Sequence, residues 1–143
     1  MNQLKSKSSG KKTRVIKIPY KPREYQREVH DNIKRFNVLV CHRRFGKTVL
    51  SVNELIKTAA NKPRSLCAFI APTYRQGKSI AWEYLKFYTK PLMYLGGNRN
   101  ETELRIDLFN GSRIQIFGAD NPDSIRGMGF DGVVLDEYAI MSP

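Results

Sequence analysis

Two kinds of apolar pattern alternate along the chain. In three stretches the apolar residues recur every three to four positions, which is the spacing of an amphipathic helix. These stretches predict helices at 22–36, 49–60 and 73–90. In three shorter runs the apolar residues follow one another without interruption, which is typical of strands that are buried on both faces. These runs predict strands at 38–40, 66–71 and 132–137.

A hairpin is predicted in the second half of the chain. Two β-like runs, 103–109 and 113–117, flank Asn110-Gly111, which is a strong short-range signal for a tight turn between two strands. Residues 120–128 are rich in turn-forming residues and predict a loop. Helices that alternate with buried strands indicate an α/β fold with a mostly parallel sheet flanked by helices, into which the β-hairpin is inserted.

The sequence Gly46-Lys47-Thr48 lies between a predicted strand and a predicted helix. Such a loop can cradle phosphates, because the N–H groups of the helix N-terminus point at the anion. Lys47 would reach the β- and γ-phosphates, and the Thr48 hydroxyl would bind Mg²⁺. Gly46 would let the backbone approach without a Cβ in the way. The alternative is an ordinary loop that enters a helix with an exposed lysine, since Cys41 stands where the usual motif has its first glycine.

Two acids, Asp136 and Glu137, end the last predicted strand. Ligands of open α/β sheets bind beyond the carboxyl ends of the strands, so these acids and the Gly-Lys-Thr loop are expected to meet in one crevice. Asp136 would hold Mg²⁺ directly or through water, and Glu137 would orient or deprotonate an attacking water. The alternative is that the two acids only end a strand at the solvent.

Three arginines and one glutamine could complete such a site. A guanidinium stabilises the charge that spreads over the oxygens of a transferred phosphoryl group. Arg43 and Arg44 lie in the phosphate loop, and we favour Arg43 as a contact from the same chain. Arg126 could act on a neighbouring subunit. Gln26 can both donate and accept, as reading of an adenine edge requires. Each of these residues could instead be an ordinary surface group.

The chain is strongly basic. Its 143 residues contain 25 Lys plus Arg and 13 Asp plus Glu, a net charge of +12 that suits a polyanionic partner. Six of the basic residues lie near the N-terminus, where there is no acid: Lys5, Lys7, Lys11, Lys12, Arg14 and Lys17. We expect residues 1–18 to be a disordered tail, either solubilising or phosphate-binding, and 19–143 to form the folded domain.

Cysteines and histidines indicate no further site. Cys41 and Cys67 have neither disulfide-framework nor metal-ligand spacing, and His30 and His42 are expected to face solvent or to support other groups. The basic N-terminus lacks the apolar segment of a signal peptide, and no apolar run approaches the roughly 20 residues of a membrane span. A reduced cytoplasmic compartment without a membrane partner is therefore expected.

Five segments carry a resemblance to a known family: Tyr25-Gln26, 42–48, 71–76, 118–129 and 133–138. Together they are similar to the ATPase domain of the large terminase subunits of tailed phages. A phosphate loop that contains arginine and lacks the first glycine is typical of that family, so Cys41 supports the resemblance. The resemblance implies a P-loop NTPase fold of the ASCE or RecA-like class.

The resemblance also implies an activity and partners. The chain would be an ATP- and Mg²⁺-dependent motor domain that threads double-stranded DNA into a preformed capsid in the cytoplasm of the infected bacterial host. The implied partners are the portal protein, the small terminase subunit and further copies in a homo-oligomeric ring. Carried over residue by residue, the adenine side is Tyr25 and Gln26, the phosphate loop acts through Arg43, Lys47 and Thr48, and the metal and catalytic acids are Asp136 and Glu137. Arg126 lies where some members place a trans-acting arginine.

The chain departs from the family in length. The family's ATPase domain continues past the acidic pair, and a nuclease domain usually follows, whereas this chain stops six residues after Glu137. We therefore expect a partial ATPase domain whose sheet is incomplete at the C-terminus and which lacks the nuclease. Two other readings remain: a superfamily-2-type helicase or translocase ATPase domain, or a non-catalytic nucleic-acid-binding remnant.

Overall fold

A computed structural model describes residues 3–7 and 13–141, with side chains from Val15 onward. The strands are β1 (Gln3–Lys7), β2 (Thr13–Lys17), β3 (Leu66–Ala71), β4 (Asn98–Asn100), β5 (Arg105–Asp107), β6 (Arg113–Gly118) and β7 (Gly132–Leu135). The helices are α1 (Glu24–Asp31), α2 (Lys47–Asn61), α3 (Tyr74–Gly77) and α4 (Glu83–Met93), and a π-helical segment (Lys78–Trp82) joins α3 to α4. Short 3₁₀ turns lie at Pro122–Ser124 and Tyr138–Ile140.

The main sheet has the strand order β4-β5-β6-β3-β7. Its centre is parallel, because β3 pairs in parallel with both β6 and β7. Its other side is antiparallel, with β4 and β6 both pairing to β5. The predicted α/β fold with a hairpin insertion is therefore confirmed, but the described sheet is only half parallel, not mostly parallel, because two of its four strand pairings are antiparallel. The hairpin turn falls at Gly111, where a positive φ of 80° favours glycine. The three-residue strand β4 was not predicted.

Successive residues of β3 point to opposite faces of the sheet, and both faces are buried. Cys67 and Phe69 pack into the larger core, which α2 and α4 cover. Ala68 and Ile70 lie in a second cluster, together with residues of the loop that follows β6. This double burial explains why the strand reads as an uninterrupted apolar run in the sequence.

Helix α2, which begins at the Gly-Lys-Thr loop, packs against the sheet. Its apolar stripe, which includes Val52, Ile56 and Ala59, is almost completely buried, as its spacing predicts. Burial of one such aliphatic side chain contributes about 1.5–3 kcal/mol, so the stripe holds the helix firmly. The N-terminus of α2, with Lys47, is thereby placed at the edge where the parallel strands end.

The predicted helix 73–90 forms, and Thr73 is its N-cap. Thr73 Oγ accepts a hydrogen bond from the Gln76 N–H at 3.1 Å. The helical stretch then continues through the π-helical segment and α4. It ends at Met93 rather than at Pro91, because Leu92 is completely buried in the core and holds the last turn in place.

The predicted buried strand at 38–40 is wrong. This segment is not a strand, and Val38 and Val40 are 90% and 95% exposed. A strand needs a neighbour that supplies hydrogen-bond partners, and β7 is the last strand on this side of the described sheet. Val133 and Leu135 of β7 are correspondingly half exposed.

Helix α1 is shorter than predicted, and its buried face is a different one. The helix ends at Asp31, so Ile33 and Phe36 lie beyond it and are exposed. The buried residues of α1 are Gln26 and His30, not the predicted apolar stripe. These polar side chains are buried because each has hydrogen-bond partners on other segments. Of the two expectations for His30, exposure to solvent does not hold, and its contacts with Tyr20 and Glu54 agree with the other, support of neighbouring groups.

The N-terminal region contains a small sheet in which β1 pairs with β2 in antiparallel fashion. This pairing differs from the predicted disorder of residues 1–18. Residues 1–2 and 8–12 of that tail lie outside the described residues. Within the part of the chain that the structure describes, no helix has the length and apolar character needed to cross a membrane.

Candidate functional site

The loop before α2 makes a tight turn into the helix. Arg44 and Gly46 both have positive φ angles, 67° and 85°. The Phe45 N–H donates to the His42 carbonyl at 3.3 Å, and the Leu50 N–H donates to the Gly46 carbonyl at 3.0 Å. The first N–H groups of an α-helix have no partners within the helix, so this N-terminus is suited to bind an anion.

Gly46 is in close contact with Gln26. A Cβ added to Gly46 would lie 2.6 Å from Gln26 Nε2, and the positive φ would strain any other residue. Gln26 Nε2 donates to the Gly46 carbonyl at 3.3 Å, and Gln26 Oε1 accepts from the Arg23 N–H at 2.9 Å. The buried glutamine thus joins α1 directly to the phosphate loop.

Tyr25 makes a second contact between α1 and the same loop. Its ring centroid lies 4.3 Å from that of Phe45, and the two planes are tilted by 39°. Its hydroxyl accepts a hydrogen bond from Arg23 Nη1 at 2.6 Å. Tyr25 and Gln26 therefore both contact the loop.

The acidic pair lies at the carboxyl end of β7. The Asp136 N–H donates to the Ile70 carbonyl at 2.9 Å, which extends the β3–β7 pairing by one residue. Glu137 then turns the chain with a φ of 50°. Its Oε1 lies 3.9 Å from Lys47 Nζ, so residues 90 positions apart meet at one edge of the sheet. Since both side chains are partly exposed, this ion pair contributes little to stability. It shows, however, that the start of α2 lies beside the end of β7.

Asp136 is electrostatically perturbed. Burial, followed by the nearby charge of Glu137, raises the pKa of the Asp136 carboxyl above its usual value, and Lys47 partly offsets this. A cation bound beside Asp136 would favour the ionised carboxylate and remove part of this penalty. The ionised form of Asp136 is therefore disfavoured unless a positive charge lies beside it.

A cavity of about 400 Å³ lies over the loop and the start of α2. On the loop side, the residues that line it include Arg44, Gly46, Lys47 and Thr48. Its opposite wall contains Ser79, Ile80 and Tyr84, which sequence reasoning missed. No local motif marks these three residues, because only the packing of the π-helical segment and α4 beside the loop brings them there.

The other predicted arginines lie at the surface. Arg43 is exposed at the turn of the loop, next to the cavity-lining Arg44. The Arg126 side chain is 79% exposed, and its Nη1 lies 3.4 Å from Asp123 Oδ1 in the same loop. Arg126 is therefore not among the residues that line the cavity of its own chain.

Comparisons with known proteins place the chain in a family. The sequence model described as "Terminase large subunit, T4likevirus-type, N-terminal" matches residues 40–142. Among solved structures, the large terminase ATPase domain of Thermus phage P74-26 matches with a TM-score of 0.77, 24% identity and coverage of 87% of this chain. A large terminase from a thermophilic bacteriophage matches with a TM-score of 0.55 and 20% identity over 70% of this chain. No curated protein matched.

Coverage of the relatives is partial. The chain spans 57% of the Thermus phage domain and 26% of the second terminase. At these identities the structural likeness shows that the fold, a mixed α/β sheet with helices, is shared with a phage terminase ATPase domain. The sequence match covers well over half of the chain. The chain therefore belongs to the family of terminase large subunits of the T4-like-virus type, and it matches their N-terminal part.

Proposed function

We propose that this chain is the ATP-hydrolysing motor domain of a phage DNA-packaging terminase, with a P-loop NTPase fold of the ASCE class. One observation carries the proposal: Lys47 at the start of α2 lies 3.9 Å from Glu137 at the end of β7. Phosphoryl transfer needs a cation that binds the phosphates and an acid that holds the metal ion or acts on the attacking water. A lysine at a helix N-terminus and an acid at a strand end can supply these two functions. The family match favours a terminase over a superfamily-2 helicase.

The phosphates of ATP would lie over the N-terminus of α2. Lys47 and Thr48 line the cavity there, and Gly46 leaves room for the phosphates beside the backbone. Lys47 would exchange its weak, exposed contact with Glu137 for the more negative phosphate oxygens. Arg44 lines the same cavity and Arg43 is its neighbour, so both guanidinium groups are near enough to add positive charge.

The residues present suit Mg²⁺. Thr48 and Asp136 offer a hydroxyl and a carboxylate oxygen, the hard ligands that this ion prefers together with water and phosphate. When bound, Mg²⁺ would neutralise charge that develops on the phosphate oxygens. Burial of Asp136 raises its pKa, and an adjacent cation would offset that effect.

Glu137 would act on the attacking water. Its Oε1 lies 3.9 Å from Lys47 Nζ, so the carboxylate would lie near the end of the phosphate chain. Once Lys47 has moved to the phosphates, the Glu137 carboxylate is free to accept a proton from water or to orient it. Gln26 and Tyr25, which already contact the loop, would lie on the adenine side.

The proposed partners are those of a packaging motor: double-stranded DNA, the portal protein, the small terminase subunit and further copies in a homo-oligomeric ring. The proposed place of action is the cytoplasm of the infected bacterial host. The net charge of +12 supports a polyanionic substrate, because basic surfaces attract the DNA backbone.

Titration calorimetry of ATP into the chain tests this proposal. Binding is expected in the presence of Mg²⁺ and should weaken about tenfold or more with EDTA, because the Thr48 and Asp136 oxygens need the ion to join them to the phosphates. Phosphate release, measured with and without double-stranded DNA, reports turnover. A chain that is folded by circular dichroism but binds no nucleotide would contradict the proposal.

We infer that Arg126 acts on the site of a neighbouring subunit, because its side chain is 79% exposed and so is accessible to another copy. In oligomeric protein, Arg126→Ala should lower ATP turnover about a thousandfold, the usual effect of losing an arginine finger. Arg27→Ala, at another exposed arginine, is the control and should change turnover little. Mixing Arg126→Ala with Glu137→Gln subunits should restore turnover, since some sites then combine an intact acid with an intact arginine. Absence of restoration would show that Arg126 does not act in trans.

A further inference from the structure

Three polar side chains form a hydrogen-bonded network at the buried face of α1. The Tyr20 hydroxyl lies 2.8 Å from His30 Nε2, and His30 Nδ1 lies 2.5 Å from Glu54 Oε2. Tyr20 and His30 are both buried, and Glu54 is nearly so. The three residues come from the segment before α1, from α1 itself and from α2. The network therefore connects three parts of the chain that no motif links.

Both ring nitrogens of His30 have partners of suitable chemistry. Burial, followed by the nearby Tyr88 and Glu54, raises the pKa of Tyr20 to about 12, so its hydroxyl stays protonated and can donate to Nε2. The Nδ1–H then donates to Glu54, a tautomer that we assign from these partners. In this orientation the imidazole of His30 accepts a hydrogen bond from Tyr20 and donates one to Glu54 at the same time.

His30 and Gln26 are one helical turn apart and share the buried face of α1. Gln26 contacts the Gly46 carbonyl at the start of α2, and His30 contacts Glu54, two turns further along the same helix. Helix α1 therefore contacts the loop through Gln26 and Tyr25, and it contacts the body of α2 through His30. The His30–Glu54 contact thus adds an attachment to α2 beyond the loop that Gln26 contacts.

We propose that His30 is a positioning residue for nucleotide-base recognition, which holds α1 so that Tyr25 and Gln26 meet the phosphate loop. The inference rests on the proposed function, because it assigns the adenine side to α1. His30 would touch no nucleotide itself. It would act through the orientation of α1, with Glu54 as its anchor on α2. A purely structural histidine would affect stability but not the discrimination between nucleotide and phosphate.

Two matched substitutions separate the two bonds of the ring. In His30→Asn the amide nitrogen occupies the place of Nδ1 and can still donate to Glu54. In His30→Gln the amide occupies the place of Nε2, so the bond to Tyr20 is kept and that to α2 is lost. Tyr20→Phe keeps the ring packing and leaves the His30–Glu54 bond intact. Asn is smaller than Gln, so simple loss of packing would harm His30→Asn more, whereas the inference expects the larger effect in His30→Gln.

The measurement is the ratio of affinities for ATP and for inorganic tripolyphosphate, each with Mg²⁺. His30→Gln should weaken ATP binding about tenfold, with tripolyphosphate binding changed less than about twofold, as for one lost positioning contact. His30→Asn and Tyr20→Phe should keep the wild-type ratio within about threefold. An unchanged ratio in His30→Gln, or an equal fall for both ligands, would overturn the inference. Wild-type protein that binds neither ligand would instead overturn the proposed function on which the inference rests.

Discussion

Lys47→Ala is expected to weaken ATP binding at least about a hundredfold and to abolish turnover, because removing one partner of a charge pair in a binding site costs several kcal/mol. The fold should survive, since the Lys47 side chain is 37% exposed and its ion pair with Glu137 spans 3.9 Å at the surface. Titration calorimetry measures the affinity, and thermal melting followed by circular dichroism measures the stability.

Helix α2 offers a matched control for this substitution. The Lys57 side chain is 41% exposed, and its Nζ lies 3.9 Å from Glu54 Oε1, so it resembles Lys47 in exposure and pairing. Lys57 lies nearly three turns from the phosphate loop. Lys57→Ala should therefore leave the affinity for inorganic tripolyphosphate unchanged, whereas Lys47→Ala should weaken it; this ligand is used because Glu54 also contacts His30. If folded Lys47→Ala protein binds ATP as the wild type does, the phosphate-loop assignment is wrong.

Glu137→Gln is expected to reduce ATP turnover by a factor of about 10² to 10⁴, the usual contribution of a positioned general base. Nucleotide binding should persist, because the carboxamide has the same shape and removes a negative charge near the phosphates. The Glu137 side chain is 55% exposed, so the fold should tolerate the change. Phosphate release gives the rate, and calorimetry gives the affinity.

An exposed glutamate elsewhere serves as the control. Glu83 begins α4 and pairs with Lys86 at 2.7 Å, remote from the acidic pair in sequence and at a different element. Glu83→Gln should leave turnover unchanged. Full turnover in Glu137→Gln would exclude Glu137 as the base. Wild-type protein that never hydrolyses ATP, but binds DNA with a steep salt dependence, would favour a non-catalytic nucleic-acid-binding protein.

Much of the fold follows from local signals. Strand β3 lies at the predicted residues, because an apolar run of that length can be buried on both faces. Helix α2 follows its apolar period, and the hairpin turns at Gly111, where its φ of 80° suits glycine. Each of these elements depends on backbone preferences and on side chains within a few residues, which are legible in the sequence.

Elements that depend on a distant partner were predicted less well. Segment 38–40 has the composition of a buried strand, but no described strand pairs with it, and its valines are exposed. In α1 the sequence favours an apolar stripe, whereas Gln26 and His30 are the residues buried. Their burial is possible only because Gly46 and Glu54, supplied by another part of the chain, satisfy their hydrogen bonds.

The candidate site likewise has one part that the sequence predicts and another that depends on tertiary contacts. Sequence order places Lys47 at the start of a helix and Glu137 just after a strand, but the strand predicted before Lys47 does not form. The packing of α2 against the sheet brings the two side chains to one edge. The cavity wall formed by Ser79, Ile80 and Tyr84 has no local signal. Motif spacing determines which chemistry the chain can carry, because it depends on neighbouring residues. Which side chains surround that chemistry depends on contacts between residues far apart in the chain, and only the tertiary structure decides those.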